Sequence, residues 1–239
     1  MYDVEVVIPV YNEAECITEV LDDWIKEMDN VGISYRIIVL NDGSNDNTAE
    51  VLSRYRDNPK VDVINKRNSG HGPTILRGYE MAVQEAHWIF QVDSDNEMKA
   101  EHFKKVWNTR ENADAVIGIR EGRHQPLPRK IVSLFSRLIV ALFYGSGIKD
   151  VNCPFRLLRT DVLKQILKQI PPDTFAPNVA ISGFLVLKKM RVKNISIPHS
   201  ERQTGEVSIK NWKLLKAAMR SFFQIIKIRF QGRVCAIIS

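Results

Sequence analysis

Two aspartates two residues apart, Asp93 and Asp95, follow the apolar run at residues 88–92 (WIFQV). Carboxylates at that spacing can turn toward one cation where a strand breaks. Hard divalent ions such as Mg2+ and Mn2+ take oxygen ligands and often share them with a substrate diphosphate. Glu97 is a candidate third ligand. The same residues also read as a solvated acidic turn, and their spacing alone leaves both readings open.

A second group stands earlier: Pro9, Tyr11, Asn12 and Glu13 after one β-branched run, and Asp42 after another. A tyrosine there can stack on a base, and an aspartate can accept from base N–H groups. Equally, Asp42-Gly43 fits a tight turn and Glu13 an acid favoured by a helix N-terminus. Residues 68–72 (NSGHG) suit a phosphate cradle but match neither G-x-x-x-x-G-K-[ST] nor G-x-G-x-x-G. His71 is expected in that loop, not as a ligand. No second histidine stands at a zinc-like interval, and no Ser/His/Asp set suggests itself.

These residues need elements to hold them. Strands are expected over 4–10, 35–40, 61–64 and 88–92, and helices over 14–28, 48–55 and 73–85. Strand and helix alternate at 25–30-residue spacing, the pattern of βαβ units and a parallel sheet with helices on both faces. In such sheets ligands bind beyond the carboxyl ends of the strands, where all three polar clusters would converge. Further strands are expected over 115–119, 155–158 and 192–197, and helices over 161–170 and 176–189. Residues 129–144 form an amphipathic segment, either a core helix or a membrane-surface one. Residues 209–230 form a long basic helix with Trp212, Phe222 and Phe223, suited to an anionic bilayer interface or to packing on the domain.

The 239 residues are 26% charged and 44% apolar, which excludes collagen-like, disordered and disulfide-scaffold classes. The net charge is +6, but residues 1–120 carry 13 Lys and Arg against 22 Asp and Glu, leaving the second half strongly basic. A polyanion or an anionic surface is the expected partner of that half. No apolar run reaches the ~18–20 residues of a membrane span. The acidic start is unlike an export signal. Cys16, Cys153 and Cys235 read as reduced buried thiols of a cytosolic protein.

Taken in order, these motifs resemble the family-2, GT-A-fold glycosyltransferases, closest to the dolichol-phosphate mannose synthase-like branch that charges polyprenyl phosphates. The resemblance covers roughly residues 4–208. It rests on VVIPVYNEAE, IIVLNDGSNDNT, RNSGHGPTILRG, QVDSDNE, Asp150 before Pro154-Phe155-Arg156, and Arg202 through Ser208 (R-x-x-G-x-S). Three departures stand out: Asn41 for a first Asp, Pro154 for a Gly, and no C-terminal transmembrane hairpin.

The resemblance implies a GT-A (Rossmann-like) α/β domain, a mostly parallel sheet flanked by helices, over residues 1–208, with a basic amphipathic extension over 209–239. It implies an inverting transfer from a GDP- or UDP-linked sugar. Pro9, Tyr11, Glu13, Asp42, Gly70, Asp93 and Ser94 would hold the donor. Asp93, Asp95 and Glu97 would hold Mg2+ or Mn2+, and Arg202 would add a cation at the diphosphate. Asp95, Asp150 and Arg202 are the implied catalytic residues. The acceptor would be a polyprenyl phosphate placed by Arg129, Ser133 and Arg137, at the cytoplasmic face of an anionic membrane, with no nucleic acid involved. The other acceptor class is a glycan hydroxyl, which needs a general base, and Asp150 is its candidate.

Overall fold

The computed structural model describes residues 1–122, 127–200 and 219–230, the side chains of 127–130 excepted. Among the described residues seven strands form one sheet: β1 (Tyr2–Val10), β2 (Tyr35–Asn41), β3 (Val61–Asn65), β4 (Ala86–Gln91), β5 (Ala115–Glu121), β6 (Arg156–Arg159) and β7 (Val192–Pro198). Their order is β3-β2-β1-β4-β6-β5-β7. β1 pairs parallel with β2 and β4, β2 with β3, and β5 with β7, while β6 runs antiparallel between β4 and β5. Every strand except β6 therefore ends on the same edge, and β6 begins there. The α/β reading holds, with one strand reversed.

The helices are α1 (Ile17–Val31), α2 (Thr48–Leu52), α3 (His71–Ala82), α4 (Phe103–Thr109), α5 (Leu127–Phe143), α6 (Thr160–Leu167) and α7 (Pro177–Leu187). α1 packs with α2 and α4; α3 packs with β1, α6 and α7, and α5 lies on α7. β1 is a run of fully buried valine and isoleucine because both its faces are covered. Gly78 lets α3 lie directly on β1: a Cβ there would sit 2.4 Å from Val7 Cγ1. Trp24 of α1, Phe90 of β4, Phe103 and Phe155 form an aromatic cluster, with Phe90 and Phe155 rings 4.7 Å apart. That cluster fixes the end of β4 against the start of β6, below the polar edge.

Two sequence expectations change, and one helix was not expected. α1 starts at Ile17, because residues 11–16 form a loop whose amides bond to Thr48 and Asp46 instead. His71 is the first residue of α3, not a loop residue. α4 lay outside the pattern reading, having only Phe103, Val106 and Trp107 buried.

The amphipathic segment is helical, but much of its apolar stripe faces outward. Ile131, Leu134, Phe135, Leu138 and Leu142 are exposed, Leu142 at 78%, while Ile139 and Val140 enter the core. Residues 219–230 are helical; Ile225 and Ile228 join the same core, whereas Met219, Phe223 and Phe230 are exposed. Among the described residues no helix is long and apolar enough to cross a membrane. Cys16 and Cys153 are buried thiols that form no disulfide among the described residues, and burial pushes the Cys153 thiol up to about 12. Arg202, residues 203–208, the rest of the basic extension and Cys235 lie outside the described residues.

Candidate active site

The polar edge is assembled by contacts between residues far apart in sequence. After β1, the Glu13 amide donates to Thr48 Oγ1 at 2.9 Å, and Asn12, in the left-handed region at φ 56°, accepts the Asn45 amide at 2.8 Å. Tyr11, 38% exposed, presents its ring at the surface and accepts at its hydroxyl from Asn45. Pro9 is buried within β1. Glu13 is buried and accepts from the Cys16 thiol at 3.2 Å; the same thiol reaches Ser94 O at 3.6 Å. The first loop is thereby tied to the Asp93-Ser94-Asp95 turn.

Asp42 is buried, and both its oxygens are engaged within the chain. Lys66 Nζ pairs with Oδ1, and the Ser69 and Gly70 amides donate to Oδ1 and Oδ2 at 2.8 and 2.9 Å. Burial would raise this carboxyl, but the Lys66 ammonium and the Ser69 amide outweigh it and hold it below the usual aspartate value. Asp42 thus anchors the glycine loop. Asn41 is likewise spent locally, accepting from Ser44 and donating to Asn65.

The anchored loop delivers α3 to the acidic turn: His71 Nε2 lies 3.5 Å from Asp93 Oδ1. Asp95 Oδ1 accepts the Glu97 amide at 3.2 Å. Glu97 Oε2 lies 2.9 Å from His199 Nε2, and its carbonyl accepts the Ser200 amide. The end of β7 is therefore stitched to the turn.

Opposite stands an ion pair: Arg120, at the end of β5, donates through Nε and Nη2 to the two Asp150 oxygens at 2.7 and 2.8 Å. Burial opposes the Arg120 charge, but Asp150 and then the more distant Asp93 favour it, so its pKa is raised. The next turn is held by Arg156, fully buried, whose guanidinium donates to the carbonyls of Cys153 at 2.7 Å, Val151 at 3.2 Å and Asn178 at 3.1 Å.

The structure therefore gathers Pro9, Tyr11, Glu13, Asp42, Gly70, Asp93, Ser94, Asp95, Glu97 and Asp150 along one edge. Ser133 and Arg137 are exposed on α5, and their side chains make no hydrogen bond or ion pair among the described residues. The Arg129 side chain and Arg202 lie outside the described residues. Lys66 and His199 were missed from sequence. They pair with acids 24 and 102 residues away, and no local pattern announces such partners. A depression of about 200 Å3 between α2 and β3, bordered by Leu52, Arg56 and Asp62, lies outside this constellation.

Among the described residues no group of three or more His, Cys, Asp or Glu side chains is arranged to hold a metal by itself. Asp93 and Asp95 nevertheless fit a shared ion: they offer hard oxygen donors, and such ions take one or two carboxylates and complete their shell with substrate phosphates.

A family model described as "Glycosyl transferase family 2" matches residues 5–167. An undecaprenyl-phosphate 4-deoxy-4-formamido-L-arabinose transferase of Edwardsiella ictaluri is 29% identical over 216 residues, covering 89% of this chain and 64% of that protein. The chain thus spans somewhat under two thirds of that transferase. An uncharacterized protein of Methanocaldococcus jannaschii is 27% identical across 94% of this chain and 98% of its own length. Among solved structures, glucosyl-3-phosphoglycerate synthase from Mycobacterium tuberculosis, in complex with Mn2+, uridine diphosphate and phosphoglyceric acid, superposes with a TM-score of 0.69. It is 14% identical, covering 95% of this chain and 78% of that one, a likeness of fold.

Proposed function

This chain belongs to glycosyl transferase family 2, and from that premise we propose that it moves a sugar from a nucleotide-diphosphate donor onto a polyprenyl phosphate, with inversion. One observation carries the proposal: a single edge holds Tyr11, the Asp42-anchored loop and the Asp93/Asp95 pair, with Arg120 and Asp150 facing them.

The base and ribose would lie on Pro9, Tyr11 and Glu13. Asp42 contributes by fixing the backbone of residues 69 and 70 beside them, with Gly70 leaving the loop open to the donor. Ser94 and Asp93 would face the diphosphate. Mg2+ or Mn2+ would be held by Asp93 and Asp95, with Glu97 as a further oxygen source, and would neutralise charge on the departing diphosphate. Arg202 keeps the diphosphate role that its motif implies. The M. tuberculosis synthase with Mn2+ and uridine diphosphate supports this reading of the edge by its shared fold.

What Asp150 does supports one acceptor class over the other. A general base must turn an oxygen toward the acceptor hydroxyl; the Arg120 fork takes one lone pair on each Asp150 oxygen, which favours an orienting role for this carboxylate. A phosphate monoester needs no such base: its second pKa is near 6, so it is mostly dianionic at neutral pH. It needs cations, and Arg120 stands at the edge to provide one, with Arg129, Ser133 and Arg137 of α5 as the outer phosphate contacts. The transferase of E. ictaluri, named for undecaprenyl phosphate, supports that acceptor.

A lipid acceptor also suits the exposed apolar side chains of α5, Phe135, Leu138 and Leu142, and of residues 219–230, Phe223 and Phe230. Arg137, Arg220 and Lys227 are exposed on the same two helices, the composition of interfacial helices on anionic lipid. The protein would sit peripherally on the cytoplasmic leaflet, residues 1–208 carrying the chemistry and 209–239 aiding attachment. Incubation with radiolabelled nucleotide sugars and a bacterial lipid extract tests this. Label should enter the organic phase in a divalent-metal-dependent way. Label found only in a water-soluble glycan would overturn the acceptor assignment.

A further inference from the structure

The helical segment 219–230 does more than cover the core. Its outer face shows Met219, Phe223 and Phe230, and its inner face buries Ile225 and Ile228. It is clamped to the end of α5, where Tyr144 Oη donates to Ile225 O at 2.7 Å and Arg229 Nε donates to Phe143 O at 2.9 Å. These bonds join the two exposed apolar helices into one unit.

From this unit one side chain reaches toward the edge. Gln224 Oε1 accepts the Phe175 amide at 2.8 Å, and its Nε2 donates to Asp173 O at 3.3 Å. The loop so held is already compact: Thr174 donates its amide and hydroxyl to Pro171 O at 3.1 and 2.6 Å. Its next two carbonyls lie flat on the first turn of α3. A Cβ at Gly72 would stand 2.3 Å from Thr174 O and 2.4 Å from Phe175 O. Gly72 has ordinary helical backbone, so the glycine serves closeness and not conformation. It follows His71, which faces Asp93, in a helix whose preceding residue, Gly70, is held by Asp42.

We propose that Gln224 is a positioning residue that couples the lipid-facing unit to the donor loop, through the 173–175 backbone pressed on Gly72. Close-packed backbone has no slack to absorb a shift of the loop, so such a shift must move the first turn of α3. Seating the outer face on a bilayer holds the segment, and the segment holds the wall behind residues 70–72. Coupling of this kind is reciprocal: whatever factor a membrane gains in donor affinity, the donor gains in membrane affinity. The kinetic part of the test rests on the proposed transferase reading. The mechanical part rests only on the proposed membrane attachment.

The test uses the full chain, vesicles of phosphatidylcholine and phosphatidylglycerol in equal parts, and UDP and GDP with Mg2+ as probes. Hydrogen exchange is followed in peptides covering residues 68–76. Vesicles should slow exchange there by roughly fivefold or more in the wild type and bring the better-bound probe to about tenfold tighter binding. The same probe should tighten vesicle binding by the same factor. Gln224→Ala should still bind vesicles and keep kcat within about twofold, yet lose the slowing and raise the donor KM roughly tenfold. Gln224→Glu, which keeps the acceptor for the Phe175 amide, should restore part of both. Gly72→Ala should reproduce the loss from the other side of the contact.

Vesicle-induced slowing that survives in Gln224→Ala would overturn the proposal. So would vesicle binding by the wild type that leaves residues 68–76 unchanged. Absence of sugar transfer from any donor, with the exchange pattern intact, would strike the transferase reading alone.

Discussion

Replacing Asp42 by Asn separates two jobs that one carboxylate can do at this edge. A carboxylate that reads a base stands free until the nucleotide arrives, so its loss costs affinity and little stability. The observed Asp42 is committed within the chain. It pairs with Lys66 and accepts two amides at 2.8 and 2.9 Å while buried. Hydrogen bonds to charged groups contribute about 1.5–3 kcal/mol each, and stripping one partner from a buried pair costs about 3–5 kcal/mol. Lys66 keeps some solvent contact, so roughly 3 kcal/mol is the expected loss for Asp42→Asn. For a chain of this size that is a fall in Tm of about 6–12 °C.

The pH dependence has a definite sign. The folded carboxyl lies below its ordinary 3.8, so its stabilisation is complete above that value and disappears as pH falls through the folded one. The gap in Tm between wild type and variant should be constant from pH 5 to 8 and shrink below pH 4. Differential scanning calorimetry across that range is the assay. A variant within 1 °C of wild type at pH 7, with nucleotide affinity lowered tenfold, would refute this account of Asp42.

Asp150→Asn should retain transfer to lipid phosphate within about tenfold, whereas loss of a true general base costs 10²–10⁴-fold; single-turnover rates decide between them. Glu5, buried in β1 beside Arg36, is pushed up to about 7 because burial outweighs the guanidinium. Its folded form binds a proton that the unfolded form has released, so stability should fall by up to about 3 kcal/mol from pH 4.5 to pH 8, and Glu5→Gln should flatten that slope in urea titrations. Leu142→Ser and Phe223→Ser should each weaken partitioning onto anionic vesicles roughly tenfold, since a buried Leu or Phe contributes about 1.5–3 kcal/mol; unchanged sedimentation with vesicles would remove this face from the membrane.

The strands that end at the site were legible because β1, β2 and β4 are runs of β-branched and aromatic residues followed by turn-formers. Their shared edge followed from the βαβ alternation. The reversal of β6 was not legible, since its direction depends on pairing with β4 and β5, a tertiary matter. That Asp93 and Asp95 stand just past the end of β4 was readable from the apolar run before them. The work of Asp42 was not, because its partners are Lys66, whose residue type gives no hint, and two backbone amides that carry no sequence signal. His71 was misread because Gly70 and Gly72 suggest a loop. Gly70 lies at φ 93°, just ahead of the helix, and Gly72 makes room for the 174–175 carbonyls. The outward stripe of α5 looked the same in sequence as a buried one, because periodicity shows that a face exists and not what covers it.

The central claim is that Asp93, Asp95 and the loop tied to Asp42 together receive a nucleotide diphosphate with its metal. Crystals grown with Mn2+ and a UDP- or GDP-sugar, measured at the manganese edge, test it most directly. The account predicts an anomalous peak between the Asp93 and Asp95 carboxylates and the diphosphate, with the base lying along Tyr11. A nucleotide bound elsewhere, such as the depression beside Arg56 and Asp62, or a diphosphate bound with no manganese at those carboxylates, would contradict it.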